Sequence, residues 1–293
     1  MNSTHKAGFV TIIGCPNVGK STLMNALVGE RLSIITSKAQ TTRHRIMGIV
    51  SGDNYQIVFS DTPGIIKPLY KLQEKMMQFV ISAFTDADVF LLITDVFEDM
   101  QLDDAYIDKL KHSARPVLLL INKIDVAKQE VLEQKVLEWK YKLPQAEIFA
   151  VSALKKFNID KIMGRIIELL PASEAYYDKA EFTDKSERFF VSEIIREKIL
   201  LNYKKEIPYS VEVIINSFKE EEKIIKIQAD ILVERDSQKG IIIGAKGALL
   251  KKTGTMARKE MEQFFNKQVF LELFVKVDKD WRSNENRLKN FGY

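Results

Sequence analysis

A glycine-rich segment that ends in a lysine and a hydroxyl is the part of this sequence best equipped for chemistry. Residues 14–21 read Gly-Cys-Pro-Asn-Val-Gly-Lys-Ser and lie between the apolar run 9–13 and a helix-like stretch. The glycines let the backbone curl so that successive N–H groups point into one hollow, and the next helix adds its positive end. The Lys20 ammonium would reach the β- and γ-phosphates of a nucleotide, and the Ser21 hydroxyl would ligate Mg²⁺. The segment predicts a triphosphate site with these candidate residues: Gly14, Cys15, Pro16, Asn17, Val18, Gly19, Lys20, Ser21 and Thr22.

A second motif, Asn122-Lys123-Ile124-Asp125, follows a later apolar run and predicts which base is bound. The Asp125 carboxylate can accept both N–H groups of guanine, whereas adenine lacks this donor pair and would leave the charge unpaired. The Lys123 stem can lie along the base, and Asn122 can brace the loop. An ATPase or kinase on the same phosphate loop is an alternative, and Asp125 argues against it. Three residues after the last predicted strand would offer a backbone N–H to guanine O6: Ser152, Ala153 and Leu154.

Two further segments predict the metal site and a nucleotide-dependent switch. In Asp61-Thr62-Pro63-Gly64, the Asp61 carboxylate would hold the water shell of Mg²⁺, and the Gly64 N–H would bond the γ-phosphate until hydrolysis releases it. The Thr42 hydroxyl, with Thr41 as the alternative, would complete the metal shell when the γ-phosphate is present. The predicted catalytic residues are Lys20, Thr42 and Gly64, the predicted Mg²⁺ ligands are Ser21, Thr42 and Asp61, and Thr62 and Pro63 are additional nucleotide-binding candidates.

The apolar pattern around these motifs predicts an α/β domain. Apolar runs alternate with amphipathic stretches, which predicts strands at 9–13, 46–50, 55–59, 89–94, 117–121 and 148–151. That alternation is typical of a mainly parallel sheet with helices on both faces, where ligands bind beyond the carboxyl ends of the strands. The predicted helix 159–170 ends at Pro171, and the polar stretch that follows reads as a linker. We therefore predict a nucleotide-binding domain at 1–173, a linker at 174–187 and a second domain at 188–293.

The sequence pattern of the second domain predicts a smaller α+β layer with a loop suited to single-stranded nucleic acid. Its order is helix, strand, strand, helix, helix, strand, with strands at 209–217, 223–233 and 269–277. A Gly-x-x-Gly loop between two helices lets backbone N–H groups approach successive phosphates of one strand. No acidic residue interrupts the basic side chains from Gly244 to Lys259, while Phe264 and Phe270 read as core residues. The RNA-binding candidates are Ile243, Gly244, Ala245, Lys246, Gly247, Lys251, Lys252 and Arg258.

Length, charge and cysteine content set outer limits on these interpretations. The chain has 293 residues and a net charge of +4, so a polyanionic partner is permitted but not required. Cys15 is the single cysteine, which excludes an internal disulfide and favours a cytoplasmic location. No apolar run approaches the roughly 18 residues of a membrane span, and the first six residues lack a leader pattern.

Taken together, the motifs resemble the TrmE–Era–EngA group of translational GTPases, and within it the Era family along nearly the whole chain. The run Gln-Thr-Thr-Arg-His-Arg at 40–45 and the second domain, which is similar to a type II KH domain, carry the closer match. The resemblance implies GTP hydrolysis to GDP with Mg²⁺. It also implies a hydrophobic-substituted GTPase, because Ile65 stands where Ras-type enzymes have a catalytic glutamine. Asn17 matches the asparagine that ligates K⁺ in cation-dependent relatives, so the resemblance implies a K⁺ ligand at Asn17.

The same resemblance implies partners. They are the 3′ end of small-subunit ribosomal RNA and the small ribosomal subunit during its assembly, and peripheral membrane contact is allowed as well. We expect a monomer whose RNA access depends on the nucleotide. The alternative is a signalling or membrane-surface GTPase whose basic domain contacts anionic lipid on the inner face of the cell membrane. The basic run argues against that alternative, because it lies on a Gly-x-x-Gly frame without a Trp- or Phe-rich amphipathic face.

Overall fold

The chain forms two compact units in the computed structural model, which describes residues 5–97 and 102–293. The first unit is Met1–Pro68 with Gln73–Asp184, and the second is Lys185–Tyr293 with Leu69–Leu72. The division after Asp184 falls inside the predicted linker, and the predicted domain limits themselves stay predictions. The expectation that the first six residues carry no leader falls partly on Met1–Thr4, which lie outside the described residues.

The first unit confirms the predicted α/β class. Its strands are β1 (Lys6–Ile13), β2 (Ile46–Ser51), β3 (Tyr55–Asp61), β4 (Val89–Asp95), β5 (Val117–Asn122) and β6 (Glu147–Ala150). Its helices are α1 (Lys20–Val28), α2 (Lys71–Asp86, from Gln73 onward), α3 (Asp104–Lys111), α4 (Gln129–Lys142) and α5 (Ile159–Leu169). The strands form one sheet in the order β2-β3-β1-β4-β5-β6, in which only the β2–β3 pair is antiparallel within the described residues.

The strand order determines where a ligand can bind. β1 lies between β3 and β4, so the connections after β1 and β3 diverge and leave a crevice at their carboxyl ends. Every residue of β4 and β5 is buried, which is the expected pattern for central parallel strands covered by helices on both faces. The core therefore holds the strand ends rigidly while the loops that follow them form the crevice.

The predicted linker is hydrogen-bonded to the edge of this sheet. We call residues 176–184 the strap. The backbone N–H of Ile49 in β2 donates to the Phe182 carbonyl, and the Met47 N–H donates to the Asp184 carboxylate. The Gln56 side chain accepts both strap amides at Tyr176 and Tyr177. Spacing and composition alone did not indicate these contacts.

The second unit is a three-stranded sheet with helices on one face, as predicted. It contains α6 (Glu187–Asn202), β7 (Glu212–Glu220), β8 (Ile224–Val233), α7 (Asp236–Ile243), α8 (Ala248–Phe265), β9 (Gln268–Val277) and α9 (Glu285–Asn290). β8 is central, antiparallel to β7 and parallel to β9. The first strand begins three residues later than predicted, because Ile207–Tyr209 forms a 3₁₀ turn that contains Pro208.

Two aromatic residues of this unit do not follow the prediction. Phe264 is 42% exposed and Phe270 is 51% exposed, so the expectation that both belong to the core is wrong. Phe270 alternates with Val269 and Leu271 on β9, and it points to the face of the sheet that carries no helix. Within 5–97 and 102–293, no helix is long and apolar enough to span a bilayer.

Candidate functional site

The phosphate loop forms where β1 gives way to α1. The Lys20 ammonium is buried and donates to two carbonyls of the loop, that of Gly14 at 3.1 Å and that of Cys15 at 2.7 Å. The loop curls back on itself immediately before the positive end of α1, as phosphate binding requires. Gly19 has φ of 103°, and a Cβ there would lie 2.3 Å from Asn122 Nδ2. The second glycine of the motif is therefore needed for close approach to residues 122–125, which we call the base loop.

Three oxygen-bearing side chains converge beside this loop. Ser21 Oγ lies 2.8 Å from Asp61 Oδ2 and 2.8 Å from Thr42 Oγ1. The alternative candidate, Thr41, faces elsewhere, with its hydroxyl bonded to Thr36 Oγ1 and the Lys38 carbonyl. The geometry thus distinguishes two adjacent threonines that the sequence left open.

The chemistry of this oxygen cluster fits Mg²⁺. Asp61 is fully buried, and its Oδ1 has no hydrogen-bond partner in the described part of the chain. Burial raises the pKa of the Asp61 carboxyl, while the charge of Lys20 and hydrogen bonds from Ser21 and Thr42 oppose the rise. No group of three or more His, Cys, Asp or Glu in residues 5–97 and 102–293 could hold a metal alone. Mg²⁺ here would complete its shell with phosphate oxygens and water, which is its usual habit.

The segment after Asp61 is anchored to the phosphate loop by its backbone. The Ile65 N–H donates to the Gly14 carbonyl at 3.1 Å, and Thr62 Oγ1 donates to the Ile12 carbonyl at 2.8 Å. Gly64 lines the cavity described below, and Ile65 is 6% exposed. An apolar side chain at Ile65 cannot orient a water molecule. The position after Gly64 therefore holds a buried apolar side chain where a catalytic glutamine would have to stand.

The base loop is braced by contacts that the sequence motif only partly indicated. Asn122 Nδ2 donates to the Val18 carbonyl at 2.8 Å, and Asn122 Oδ1 accepts the Ala153 N–H at 2.9 Å. Ser152 Oγ donates to Asp125 Oδ1 at 2.6 Å. The Ala153 amide is therefore used to brace the loop, and Ser152 orients the carboxylate that would read the base. Leu154 is the member of this predicted trio that lines the cavity.

Asp95 and Lys123 form a contact that sequence reasoning missed. Lys123 Nζ donates to Asp95 Oδ2 at 2.5 Å and to the Asn17 carbonyl at 2.8 Å. Asp95 ends β4, directly opposite Asn122 at the end of β5. The available signal was an acidic residue at the end of an apolar run, which becomes informative only when β4 and β5 are known to be neighbours.

These groups surround one cavity of about 520 Å³, large enough for a nucleotide. The structure brings together residues from every predicted nucleotide motif. The lining residues are Pro16, Asn17, Gly19, Lys20, Ser21, Thr22, Ile34, Ile35, Thr36, Ser37, Lys38, Gln40, Thr41, Thr42, Gly64, Asn122, Lys123, Asp125, Val126 and Leu154. Of these, Ile34, Ile35, Thr36 and Val126 lie outside the predicted motifs. The remaining nucleotide-binding candidates are not part of this lining: Gly14, Cys15, Val18, Asp61, Thr62, Pro63, Ser152 and Ala153.

The second unit presents the predicted Gly-x-x-Gly loop between α7 and α8. Gly244 and Gly247 have φ of 70° and 77°, values that favour glycine and make the tight turn possible. Lys246, Lys251 and Lys252 are exposed and make no ion pair with any described residue. Arg258 instead pairs with Glu262 at 2.6 Å, which offsets its charge.

A groove of about 350 Å³ lies beside this loop. It is lined by Gly247, Leu250, Lys251, Gly254, Thr255, Arg258, Leu271 and Leu273. Of the RNA-binding candidates, Gly247, Lys251 and Arg258 are in the lining, while Ile243, Gly244, Ala245, Lys246 and Lys252 are not. The apolar floor from Leu271 and Leu273 was not predicted, because these β9 residues follow an ordinary strand pattern.

Comparison with known families covers both units. The family described as 50S ribosome-binding GTPase matches residues 9–123, and the KH domain family matches residues 206–282. GTPase Era of Syntrophus aciditrophicus is 46% identical over 291 residues, which are 98% of this chain and 95% of that protein. GTPase Era of Staphylococcus epidermidis is 42% identical over 99% of this chain and 97% of its own length.

Solved structures agree over the full length. Era in complex with MgGDPNP and nucleotides 1506–1542 of 16S ribosomal RNA has a TM-score of 0.93 and 38% identity, covering 99% of both chains. A variant of Aquifex aeolicus Era bound to GDP and AlF₄⁻ also has a TM-score of 0.93 and 38% identity, covering 98% of this chain and 99% of the other.

Proposed function

This chain belongs to the Era family of GTPases, and we propose that it couples GTP hydrolysis to binding of the 3′ end of small-subunit ribosomal RNA. One observation carries the proposal. Both units together, over 99% of the chain, match an Era structure in complex with MgGDPNP and a segment of 16S ribosomal RNA. The oxygen cluster at the phosphate loop and the unpaired lysines beside the Gly-x-x-Gly loop supply the matching chemistry in this chain.

The nucleotide site would hold GTP by replacing internal contacts with contacts to phosphate. Lys20 is already held by the Gly14 and Cys15 carbonyls, so its ammonium is in place for the β- and γ-phosphates before the nucleotide binds. Asp125, oriented by Ser152, would accept the two guanine N–H groups. Hydrolysis transfers the γ-phosphoryl group to water and yields GDP and phosphate. The Gly64 N–H would lose its partner at that moment and release the following segment.

Metal ions would complete the site. Ser21, Thr42 and Asp61 are the residues placed to hold Mg²⁺, with Asp61 acting through its water shell. The ion would neutralise charge on the β- and γ-phosphates. Asn17 is exposed in the phosphate loop and lines the cavity, and we assign it to a K⁺ that would offset the missing glutamine at Ile65. A faster hydrolysis rate in KCl than in NaCl supports this K⁺ site, and equal rates contradict it.

The second unit would bind the RNA strand. The three unpaired lysines would contact phosphates of the strand, and the apolar residues of the groove would accept its bases. The variant Lys246→Gln, Lys251→Gln, Lys252→Gln tests this role with a single-stranded RNA that copies the 3′ end of 16S ribosomal RNA. We expect weaker binding and a salt slope reduced by up to about 2, because each phosphate that is no longer neutralised lowers the slope by about 0.7.

A charge-matched control separates this effect from net charge. Lys140, Lys161 and Lys179 are exposed residues of the first unit, and their triple replacement by glutamine should leave RNA binding unchanged. One outcome would contradict the proposal and support the membrane-surface alternative. In that outcome the wild type binds anionic vesicles but no RNA, and the triple variant at Lys246, Lys251 and Lys252 loses the vesicle binding. The cytoplasmic location, the assembly role and the monomeric state stay predictions.

A further inference from the structure

Asp95 is a buried carboxylate that none of the nucleotide motifs includes. It is 5% exposed and ends β4. Its Oδ1 accepts the Phe97 N–H at 2.8 Å, and its Oδ2 accepts the Lys123 ammonium at 2.5 Å. A buried charge is tolerated when it is paired and hydrogen-bonded, and both oxygens of Asp95 meet that condition. The residue is thus built into the end of the sheet rather than placed there as a solvated surface charge.

The partner of Asp95 is the lysine of the base-recognition loop. The Lys123 backbone is in the left-handed region, with φ of 63° and ψ of 29°, and this conformation sets the direction in which the side chain leaves the backbone. Its ammonium is then held at two points, by Asp95 and by the Asn17 carbonyl in the phosphate loop. The Lys123 side chain is 36% exposed and lines the nucleotide cavity. The aliphatic part of Lys123 is therefore a wall of the cavity, and its far end is tied down.

Ordering a flexible lysine side chain costs rotamer entropy. When the ammonium is already paired, that cost is met on folding and does not subtract from nucleotide affinity. The same ammonium also donates to the Asn17 carbonyl, so the phosphate loop and the base loop share one anchor. Removing the anchor should weaken binding of both halves of the nucleotide.

We propose that Asp95 is a positioning residue of the guanine nucleotide site, which acts through Lys123 and holds the phosphate loop and base loop in their binding geometry before the nucleotide arrives. The inference rests on the proposed guanine nucleotide function. Asp95 has no direct role in the reaction, because its contacts are to Lys123 and to the Phe97 backbone. Its loss should therefore change nucleotide affinity more than the turnover of bound GTP.

The test is a double-mutant cycle with GDP and Mg²⁺, measured by calorimetry on the full chain. Asp95→Asn keeps an acceptor for the Phe97 N–H and removes the charge that holds Lys123. We expect it to raise the GDP dissociation constant about tenfold, with the turnover number at saturating GTP within about twofold of wild type. Lys123→Met keeps the stem without the ammonium. If Asp95 acts through Lys123, adding Asp95→Asn to Lys123→Met should cause no further loss of affinity.

Asp230 provides a matched control. It is 6% exposed in the second unit, and its Oδ2 accepts the Lys276 ammonium at 2.6 Å. Asp230→Asn breaks a comparable buried pair and should leave GDP binding unchanged. Asp95→Glu keeps the charge, and we expect it to recover part of the affinity, which provides a folded variant should Asp95→Asn fail to fold.

The outcomes distinguish this inference from the proposed function. A wild-type chain that binds GDP no better than ADP would overturn the guanine nucleotide function itself. Wild-type affinity in both Asp95→Asn and Asp95→Glu would overturn only the role of Asp95. Equal losses from Asp95→Asn in the presence and absence of Lys123→Met would show that Asp95 acts independently of Lys123, and a lower turnover number at unchanged affinity would also contradict the inference.

Discussion

The Ile49 N–H donates to the Phe182 carbonyl at 2.9 Å, which makes the strap an added partner of β2 at the edge of the sheet. β2 begins at Ile46, directly after the segment that supplies Thr42 to the oxygen cluster. The strap therefore pairs with the strand that follows the predicted nucleotide switch. It also covers backbone groups that an open sheet edge would otherwise expose.

The Gln56 side chain holds the strap by hydrogen bonds, so replacing Gln56 should loosen the strap from the sheet. Gln56 is fully buried, and its side chain accepts the Tyr176 and Tyr177 amides and donates to the Tyr177 carbonyl. Gln56→Leu leaves these backbone groups unpaired, at a cost of about 2 kcal/mol. We expect amide hydrogen exchange at Tyr176, Tyr177 and Ile49 to accelerate roughly 30-fold. Gln134→Leu, on the exposed face of α4, should leave these rates unchanged, and unchanged rates in Gln56→Leu would contradict the prediction.

Asp125 should decide which base is bound. Asp125→Asn presents an amide N–H to the guanine N–H groups, whereas xanthine offers a carbonyl at the same position. Loss of the charged hydrogen bonds corresponds to roughly a 10- to 100-fold weaker affinity for GDP. Calorimetry with GDP and XDP should show the preference reversed. Asp160→Asn, at an exposed site in α5, serves as the control, and a variant at Asp125 that still prefers GDP would show that the base pocket is misplaced.

Ser21 should control the need for Mg²⁺. Its hydroxyl lies between Asp61 and Thr42, where a metal ligand is expected. Ser21→Ala removes that ligand, and we expect the Mg²⁺ concentration for half-maximal GTP hydrolysis to rise at least about tenfold. Affinity for GDP measured with EDTA should change little by comparison. Ser82→Ala, on the exposed face of α2, should match wild type in both assays, and an unshifted Mg²⁺ requirement in Ser21→Ala would exclude the assignment.

Tyr203 should stabilise the turn that carries the Gly-x-x-Gly loop. Its hydroxyl donates to the Ile242 carbonyl at 2.7 Å and accepts from Thr253 Oγ1 at 3.3 Å. Tyr203→Phe leaves a buried carbonyl without its partner, and we expect a loss of about 1–2 kcal/mol in unfolding free energy and weaker RNA binding. Tyr141→Phe is the control, because Tyr141 is 89% exposed.

The effect of Tyr203 should also depend on pH in one direction. Burial raises the pKa of Tyr203 above its ordinary value of 10.0, so the folded state retains the proton longer than the unfolded state. The stability that the hydroxyl provides is complete below the ordinary pKa and is lost as pH rises through the raised pKa. The difference between wild type and Tyr203→Phe should therefore stay constant below about pH 10 and shrink above it. A difference that grows in alkali would contradict this prediction.

The sequence by itself determined the features that depend on neighbouring residues along the chain. A strand, a glycine-rich curl and a helix start form the phosphate loop locally, so Lys20 and Ser21 were predicted from spacing. The alternation of apolar runs predicted the strands, and the Gly-x-x-Gly loop with its lysines predicted the second site. These features can be predicted without knowledge of the fold, because the local backbone sets the hydrogen bonds and side-chain directions within one helix or strand.

Only the tertiary structure decided which side chains meet across elements. Asp61, at the end of β3, lies near Thr42 and so distinguishes it from Thr41 as the metal-ligand candidate. Asp95 reaches Lys123 because β4 lies beside β5, and the strap is held by hydrogen bonds to the edge strand β2. The physical reason is that these contacts join residues far apart in sequence. Their formation depends on strand order and register, which the burial of the whole core selects and no local pattern encodes.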